Sequence, residues 1–590
     1  MRKVSRLRPH VSRLLHTLKF IGILPRPYVP GLRPPVFYFA FLVAGRECQM
    51  RCPTSISNRR RVLCVFPAYT PSFGTFSHSY RLLPRVRAFM PPQGLLLIAA
   101  YLPPSWLVRF IDENITPATA GDFAWADFVF VSGMHIQAPQ IHDIARRAKR
   151  AGKLIVLGGA SVSGAPELYP EFDYLHIGEI GDGTDRLIAS LDQSVAPPQA
   201  QMRFETNERL PLCDFPLPAY DLIRLDHYLI GSLQFSSGCP YRCEFCDIPA
   251  LYGRQPRLKA HEQITAELDE MLKQPGHPSV VYFVDDNFIG NRKAARELLP
   301  HLIDWQRRHD YPLQFACEAT LNLAKQPEIL SLMRRAQFLT VFVGIETPEA
   351  DALKAMRKEH NSALPMMEAI KTLNSYGLEV TSGIILGLDT DTADTESRLK
   401  EFIDLSEIPI LTINLLQALP RTPLWDRLKR AGRLIANEQG LESNVRFLRS
   451  HDEVVATWRR CVAYAYDPER LFARFAHQID ATYAHRMNVP VRGKLTIRNL
   501  REAVVLGFNV LLWIGLLSNY RRSFWRAARR ALKRGQIDAA LGMGLVAYHL
   551  IRFSRDALRG DQNASFYSTR SRALTPPVGP QLEDATTLGQ

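Results

Sequence analysis

Short apolar runs that alternate with helical segments constrain this chain more than any other feature. A first series places strands at 62–66 (VLCVF), 108–111, 128–131, 154–157 and 174–177, with helices at 95–102 and 141–151 between them. A second places strands at 232–236, 280–284, 313–317, 340–343, 380–386 and 411–416, with helices such as 261–272 and 294–308. Runs this continuously apolar belong in parallel sheets covered on both faces. In such sheets ligands sit at the carboxyl ends of the strands. The first series predicts a Rossmann-like α/β domain over 61–195, with a linker at 196–224. The second predicts a whole or partial TIM-type (β/α) barrel over 225–450, with its chemistry at the strand C-termini. From 451 to 567 the pattern is helical, and 568–590 reads as a disordered tail.

Charge is placed unevenly. Of 73 Lys and Arg, 13 fall in residues 1–61, where Glu47 is the lone acid, so the other 60 bases face 57 acids. The body is therefore nearly neutral, which argues against a nucleic-acid partner. Residues 1–60 read either as a disordered basic arm or as an over-called translation start. Their apolar run, 36–44, is too short to span a bilayer and too late for a signal peptide. Nine cysteines in 590 residues are too sparse for a disulfide scaffold. A cytoplasmic location is expected, on the inner face of the membrane if the C-terminal region binds lipid.

Three of the cysteines cluster, as Gly238-Cys239-Pro240-Tyr241-Arg242-Cys243-Glu244-Phe245-Cys246. Thiolates spaced C-x3-C-x2-C can wrap one corner of an iron–sulfur cubane and leave its fourth iron open. A structural zinc site would need a fourth Cys or His at finger spacing, and none is near. Cys317 and Cys461 have no sequence partner and read as buried thiols.

This motif, with aromatic Phe245 before the last cysteine, resembles the signature of the radical SAM superfamily over 225–450. The resemblance implies a [4Fe-4S] cluster on Cys239, Cys243 and Cys246 that binds S-adenosyl-L-methionine and cleaves it to a 5′-deoxyadenosyl radical. It also implies S-adenosylmethionine contacts from Phe245, Asp285 and Asp286 on the second strand end, Glu318 and Glu346 on the next two, and Gly383 and Gly387 near the adenine. Taken singly, each carboxylate reads as a solvated strand-end residue or a helix cap; behind the cysteine cluster, the functional reading is the better one.

The preceding α/β domain resembles the cobalamin-binding domain of B12-dependent radical SAM enzymes. By that resemblance Ser132, Gly133, Met134 and His135 would lie by the corrin, and Gly158, Gly159, Ser161, Gly178 and Glu179 would complete the site. The Asp-x-His-x-x-Gly motif that supplies a histidine to cobalt is missing, so His135 is not assigned as a cobalt ligand.

Longer runs resemble hopanoid C-2 methylases: 70–76 (TPSFGTF), 88–94 (AFMPPQG), 235–247 (FSSGCPYRCEFCD), 282–293 (YFVDDNFIGNRK) and 412–426 (TINLLQALPRTPLWD). The resemblance implies radical C-methylation of a hopanoid at C-2 through methylcobalamin, with electrons from a ferredoxin or flavodoxin. Another lipid, a tetrapyrrole or a natural product as substrate stays open, as does a cobalamin and Fe–S sensor without turnover. In the C-terminal region 503–520 carries no charge, and 521–534 holds seven Arg and Lys with no acid. Phe524, Trp525, Ala528 and Leu532 between them predict a basic amphipathic helix that either lies in a membrane interface or packs in the core.

Overall fold

The structure, a computed structural model, describes residues 59–560 apart from 195, 363, 436–442 and 489–496. The expectations for the basic arm and the C-terminal tail lie outside the described residues.

The first series of runs forms a six-stranded parallel sheet. Its strands are β1 (Arg61–Phe66), β2 (Leu107–Asp112), β3 (Phe128–Ser132), β4 (Leu154–Gly158), β5 (Tyr174–Ile177) and β6 (Met202–Glu205), in the order β2-β1-β3-β4-β5-β6. Alternate residues serve two layers. Leu63, Val65, Val129 and Val131 join Ile141 and Ile144 on one face. Val62, Cys64, Phe128 and Phe130 join Leu95 and Ala99 on the other. Burial on both faces explains why these strands lack a polar alternation. β6 corrects the expected linker. MRFE pairs along β5, but as an edge strand it buries only Phe204, so its sequence carries little apolar signal.

The second series forms a six-stranded, all-parallel open barrel. Its strands are β7 (Gly231–Leu233), β10 (Val280–Phe283), β11 (Gln314–Ala319), β12 (Phe338–Glu346), β13 (Glu379–Leu386) and β14 (Ile410–Leu415), in consecutive spatial order. A two-stranded antiparallel ribbon, β8 (Ser236–Ser237) with β9 (Arg257–Leu258), brackets the cysteine loop. Cys317 and Cys461 are fully buried.

The C-terminal helices close both domains. Trp458 Nε1 donates to the Ile413 carbonyl of β14 at 2.8 Å. The last helix, Ile537–Arg559, lies against residues 72–82 of the first domain. Helix Arg521–Lys533 turns Phe524, Ala527, Ala528 and Ala531 into the protein. Arg526 pairs with Glu469 at 2.7 Å, while Arg530 and Arg534 pair with Asp480 at 2.7 and 2.6 Å. The apolar face, read from sequence as either membrane-facing or packed in the core, is used in packing; of Phe524, Trp525, Ala528 and Leu532, Leu532 alone is exposed. Among the described residues no helix is long and apolar enough to cross a membrane.

His549 pins the closing helix to the first domain. Its Nδ1 accepts from the His78 amide at 3.3 Å, and its Nε2 donates to the Ser72 carbonyl at 3.1 Å, so the neutral ring is fully used. Burial, helped by His78, pushes its pKa down to about 3. An unfolded histidine takes up a proton near pH 6.5. The contribution of His549 is therefore complete above that pH and declines as pH falls toward 3, by at most ~1.4 kcal/mol per unit. Urea unfolding of His549→Asn should vary less between pH 7 and pH 5 than that of the wild-type chain; identical slopes would assign the acid sensitivity elsewhere.

Candidate functional site

The cysteine loop is built from both sides. Gly238 enters it with φ +99°, a left-handed conformation that favours glycine, and a Cβ there would lie 3.0 Å from the Gly253 carbonyl oxygen. Asp286 Oδ2 accepts from the Gly238 amide at 2.7 Å. Asp285 accepts from the amides of Phe235, at 3.3 Å, and Ser236. Both carboxylates therefore clamp the strand leading into Cys239. Asp285, expected at S-adenosylmethionine, is 1% exposed with both oxygens on backbone amides, so it shapes the loop. Burial pushes the carboxyls of Asp285 and Asp286 up to about 7 and about 6.

On the far side Arg427 donates to Glu244 Oε1 and to Asp389 Oδ2, each at 2.6 Å, and Arg433 donates to Asp389 Oδ1 at 2.6 Å. Beneath the loop, Asn322 Nδ2 donates to the Tyr241 hydroxyl at 2.6 Å, and Tyr241 stacks on His360 at 3.7 Å. Cys239, Cys243 and Cys246 carry free, half-buried thiols whose pKa values burial raises.

Sequence reasoning missed two residues here. Asn287 is 2% exposed, and its side-chain amide faces the Cys239 thiol, partly offsetting the effect of burial there. It completes the Asp-Asp-Asn run, and that adjacency was the available signal. Lys358 is buried with Nζ 2.5 Å from Glu346 Oε1 and 5.4 Å from the Phe245 ring centre. Burial pulls its ammonium down, but Glu346 and then Cys243 outweigh that and hold it above its usual value. Glu346 itself has φ +67°, strained for a residue with a Cβ, at the end of β12.

The remaining barrel residues gather at the same strand ends. Tyr282 donates to Glu318 Oε1 at 3.3 Å, and burial with the nearby Asp286 raises the Glu318 carboxyl to about 7. Gly383 lies beneath Glu346, where an added Cβ would come 3.8 Å from Oε2. Gly387 has φ +87° and packs under Phe447. A cavity of about 230 Å³ opens on the far side of the loop, lined by Phe245, Met356 and Leu388 and by the charged Glu244, Asp389 and Arg427.

These features fit an iron–sulfur group. The buried amide of Asn287 beside Cys239 and the three half-buried thiols are groups that a bound metal cluster would engage. Among the described residues no three His, Cys, Asp or Glu side chains converge on one metal ion.

In the first domain, the loops after β3 and β4 meet. Gly159, at φ +93°, approaches so closely that a Cβ would lie 2.5 Å from Ser132 Oγ and 3.3 Å from the Gly133 backbone. Gly158 ends β4 beside His176. Met134 is 48% exposed at the loop tip. His135 lies over Gly164, with Nδ1 3.5 Å from Ser161 Oγ and a buried, unpartnered Nε2. This close meeting of small residues, with one unsatisfied nitrogen, fits the approach of a polar cofactor to the backbone. Gly159→Ala should lower corrinoid occupancy about tenfold through backbone strain, with iron content unchanged; equal corrinoid in both proteins would show that the turn is not part of that site.

Gly178 and Glu179, expected at the cobalamin, are engaged elsewhere. The Gly178 amide donates to Ser163 Oγ at 2.9 Å, and its φ of +105° lets Thr206 pack close. The Glu179 carboxylate accepts from Arg257 and, at 3.1 Å, from Ser237 Oγ, with Arg209 at 3.3 Å. Ser237 precedes Gly238, so Glu179 joins the first domain to the cysteine loop. Long-range pairing of this kind has no local sequence signal.

Comparison with known proteins adds to this geometry. Residues 82–188 match the B12 binding domain, 233–403 the radical SAM superfamily, and 422–563 a domain of unknown function, DUF4070. The chain is 58% identical over 519 residues to the hopanoid C-2 methylase of Rhodopseudomonas palustris (strain TIE-1), covering 88% of this chain and 98% of that protein. Its fold is similar to that of the radical S-adenosylmethionine methyltransferase TsrM from Kitasatospora setae, with TM-score 0.52, 14% identity, and coverage of 81% and 100% of the two chains. The cobalamin-dependent enzyme OxsB is alike at TM-score 0.53 and 15% identity, with 86% and 81% covered.

Proposed function

We propose, from the premise that this chain belongs to the hopanoid C-2 methylase family of B12-binding radical SAM proteins, that it methylates a hopanoid at C-2 of the A ring. When bound, the three cofactors supply an electron, a hydrogen-abstracting 5′-deoxyadenosyl radical and a methyl group. That carbon has no usable acidity, so no acid–base residue could activate it and radical chemistry is required.

The chain's own residues position and shield. Cys239, Cys243 and Cys246 would hold the cluster, and the Asp285–Asp286 clamp fixes the loop that carries them. Asn287, Glu318, Glu346 and Lys358 would surround S-adenosylmethionine beside Phe245 and the cysteine loop. The β3 and β4 loops of the first domain would hold cobalamin, with Gly159 as the close turn. Glu179, bridging to Ser237 and Arg257, would set the distance between corrinoid and cluster. A ferredoxin or flavodoxin would deliver the electron, and a membrane lipid as substrate calls for peripheral contact with a bilayer.

The observation that carries the reading is the cysteine loop, clamped through Asp286 and tied through Glu179 to the B12 binding domain. Deleting the gene and profiling total lipids tests it. We expect 2-methylhopanoids to vanish while their unmethylated parents persist. An unchanged hopanoid profile, with a tetrapyrrole or other product lost instead, would move the substrate to another class.

A further inference from the structure

The segment 503–520 contains no charged residue, yet one side of it is uncovered. It forms helix Ile497–Asn509 and then a π-helical stretch, Val510–Leu516. Val510, Ile514 and Gly515 face inward, against the last helix and Trp525. Val504, Phe508, Leu511, Trp513, Leu516 and Leu517 face out, between 41% and 61% exposed. Of the fifteen large apolar side chains that are exposed among the described residues, six are these, so the surface concentrates its apolar area here.

The spacing makes one stripe. Val504, Phe508 and Leu511 are four and three apart, the period of an α-helix. Phe508 to Trp513 and Leu511 to Leu516 are five apart, the hydrogen-bond spacing of a π-helix. The π-helical stretch thus keeps the apolar side chains aligned where a regular α-helix would rotate them away.

A basic rim adjoins the stripe. Arg522, Arg529 and Lys533 lie on the next helix, and among the described residues none of them has an ion-pair partner. A second copy of this chain is a poor occupant, because a twofold contact would set these like charges against one another. An anionic surface that is apolar beneath satisfies both halves.

We propose that this face is a membrane-docking surface: the apolar stripe enters the interface of a bilayer, and the Arg522–Lys533 rim binds anionic lipid headgroups. This gives the domain of unknown function at 422–563 a role. The stripe also adjoins the first domain, since Asn509 Nδ2 donates to the Leu82 carbonyl at 3.1 Å, shortly after the loop that follows β1. Delivery of a lipid substrate from this surface rests on the function proposed above, but docking itself does not.

Flotation of the full chain with vesicles tests docking without any cofactor or substrate. Vesicles of phosphatidylcholine alone and of phosphatidylcholine with phosphatidylglycerol are compared at low and high salt. The wild-type chain should float with the anionic vesicles. Phe508→Glu with Leu516→Glu should float about tenfold less with an unchanged circular dichroism spectrum, and Arg522→Glu with Arg529→Glu should lose only the anionic preference. Failure of the wild-type chain to float, or equal flotation of all three proteins, overturns the proposal. A dimer in light scattering that Leu516→Glu separates, without flotation, assigns the face to a second copy. Methylation of detergent-dispersed hopanoid by the Phe508→Glu, Leu516→Glu protein keeps the functional reading intact whichever way flotation falls.

Discussion

Replacing Cys239, Cys243 or Cys246 singly with Ala is expected to abolish formation of 5′-deoxyadenosine from S-adenosylmethionine and to leave 2-methylhopanoid undetectable. Three thiolates are the fewest that hold one corner open on a four-iron group, so no pair can substitute. The loss should be all-or-none, unlike the graded loss from a positioning residue. Corrinoid binding should survive, because its cradle lies on the β3 and β4 loops of the other domain. Each protein would be purified anaerobically and assayed for iron, sulfide, corrinoid and 5′-deoxyadenosine. Retained nucleoside formation in any of the three variants would remove that cysteine from the site. Loss of corrinoid along with iron would mean that the two domains do not load independently.

The second large effect is expected at Lys358. Its ammonium and the Glu346 carboxylate are 8% and 10% exposed, and each is the other's ion-pair partner. Removing one member leaves a buried charge uncompensated, at a cost of roughly 3–5 kcal/mol. Lys358→Met and Glu346→Gln should each destabilise the barrel by that amount, and the double variant should recover more than half of it. Urea unfolding of the four proteins gives the coupling energy directly. Additive losses would show that the pair is not coupled and that Lys358 acts through Phe245 or the cysteines instead.

The parallel sheets were legible because burial on both faces writes itself into continuous apolar runs such as 62–66 and 128–131. The cysteine loop was legible because its chemistry needs a fixed local spacing. β6 was not, since an edge strand with one buried residue resembles a linker. Lys358 sits among Lys354, Arg357 and Glu359, a run indistinguishable in sequence from a solvated loop. Only the path of the chain after β12 turns it inward. Asp285 and Glu179 were implied as cofactor contacts by resemblance, and their partners within the protein, Ser236 for the one and Ser237 with Arg257 for the other, lie 49, 58 and 78 residues away, beyond any local signal. The helix 521–533 showed both an apolar and a basic face, but periodicity cannot say whether water, lipid or protein meets the apolar one; here Phe472 packs against Phe524 and assigns it to protein.

The central claim is that one chain couples cleavage of one S-adenosylmethionine to methyl transfer from another. The most direct measurement is an anaerobic reaction of the reconstituted enzyme with methyl-labelled S-adenosylmethionine and a hopanoid. Labelled 2-methylhopanoid, 5′-deoxyadenosine and S-adenosylhomocysteine should accumulate in equal amounts, and none of the lipid product should form with the Cys243→Ala protein. Labelled lipid that forms without 5′-deoxyadenosine, or at an undiminished rate in that variant, would contradict the account.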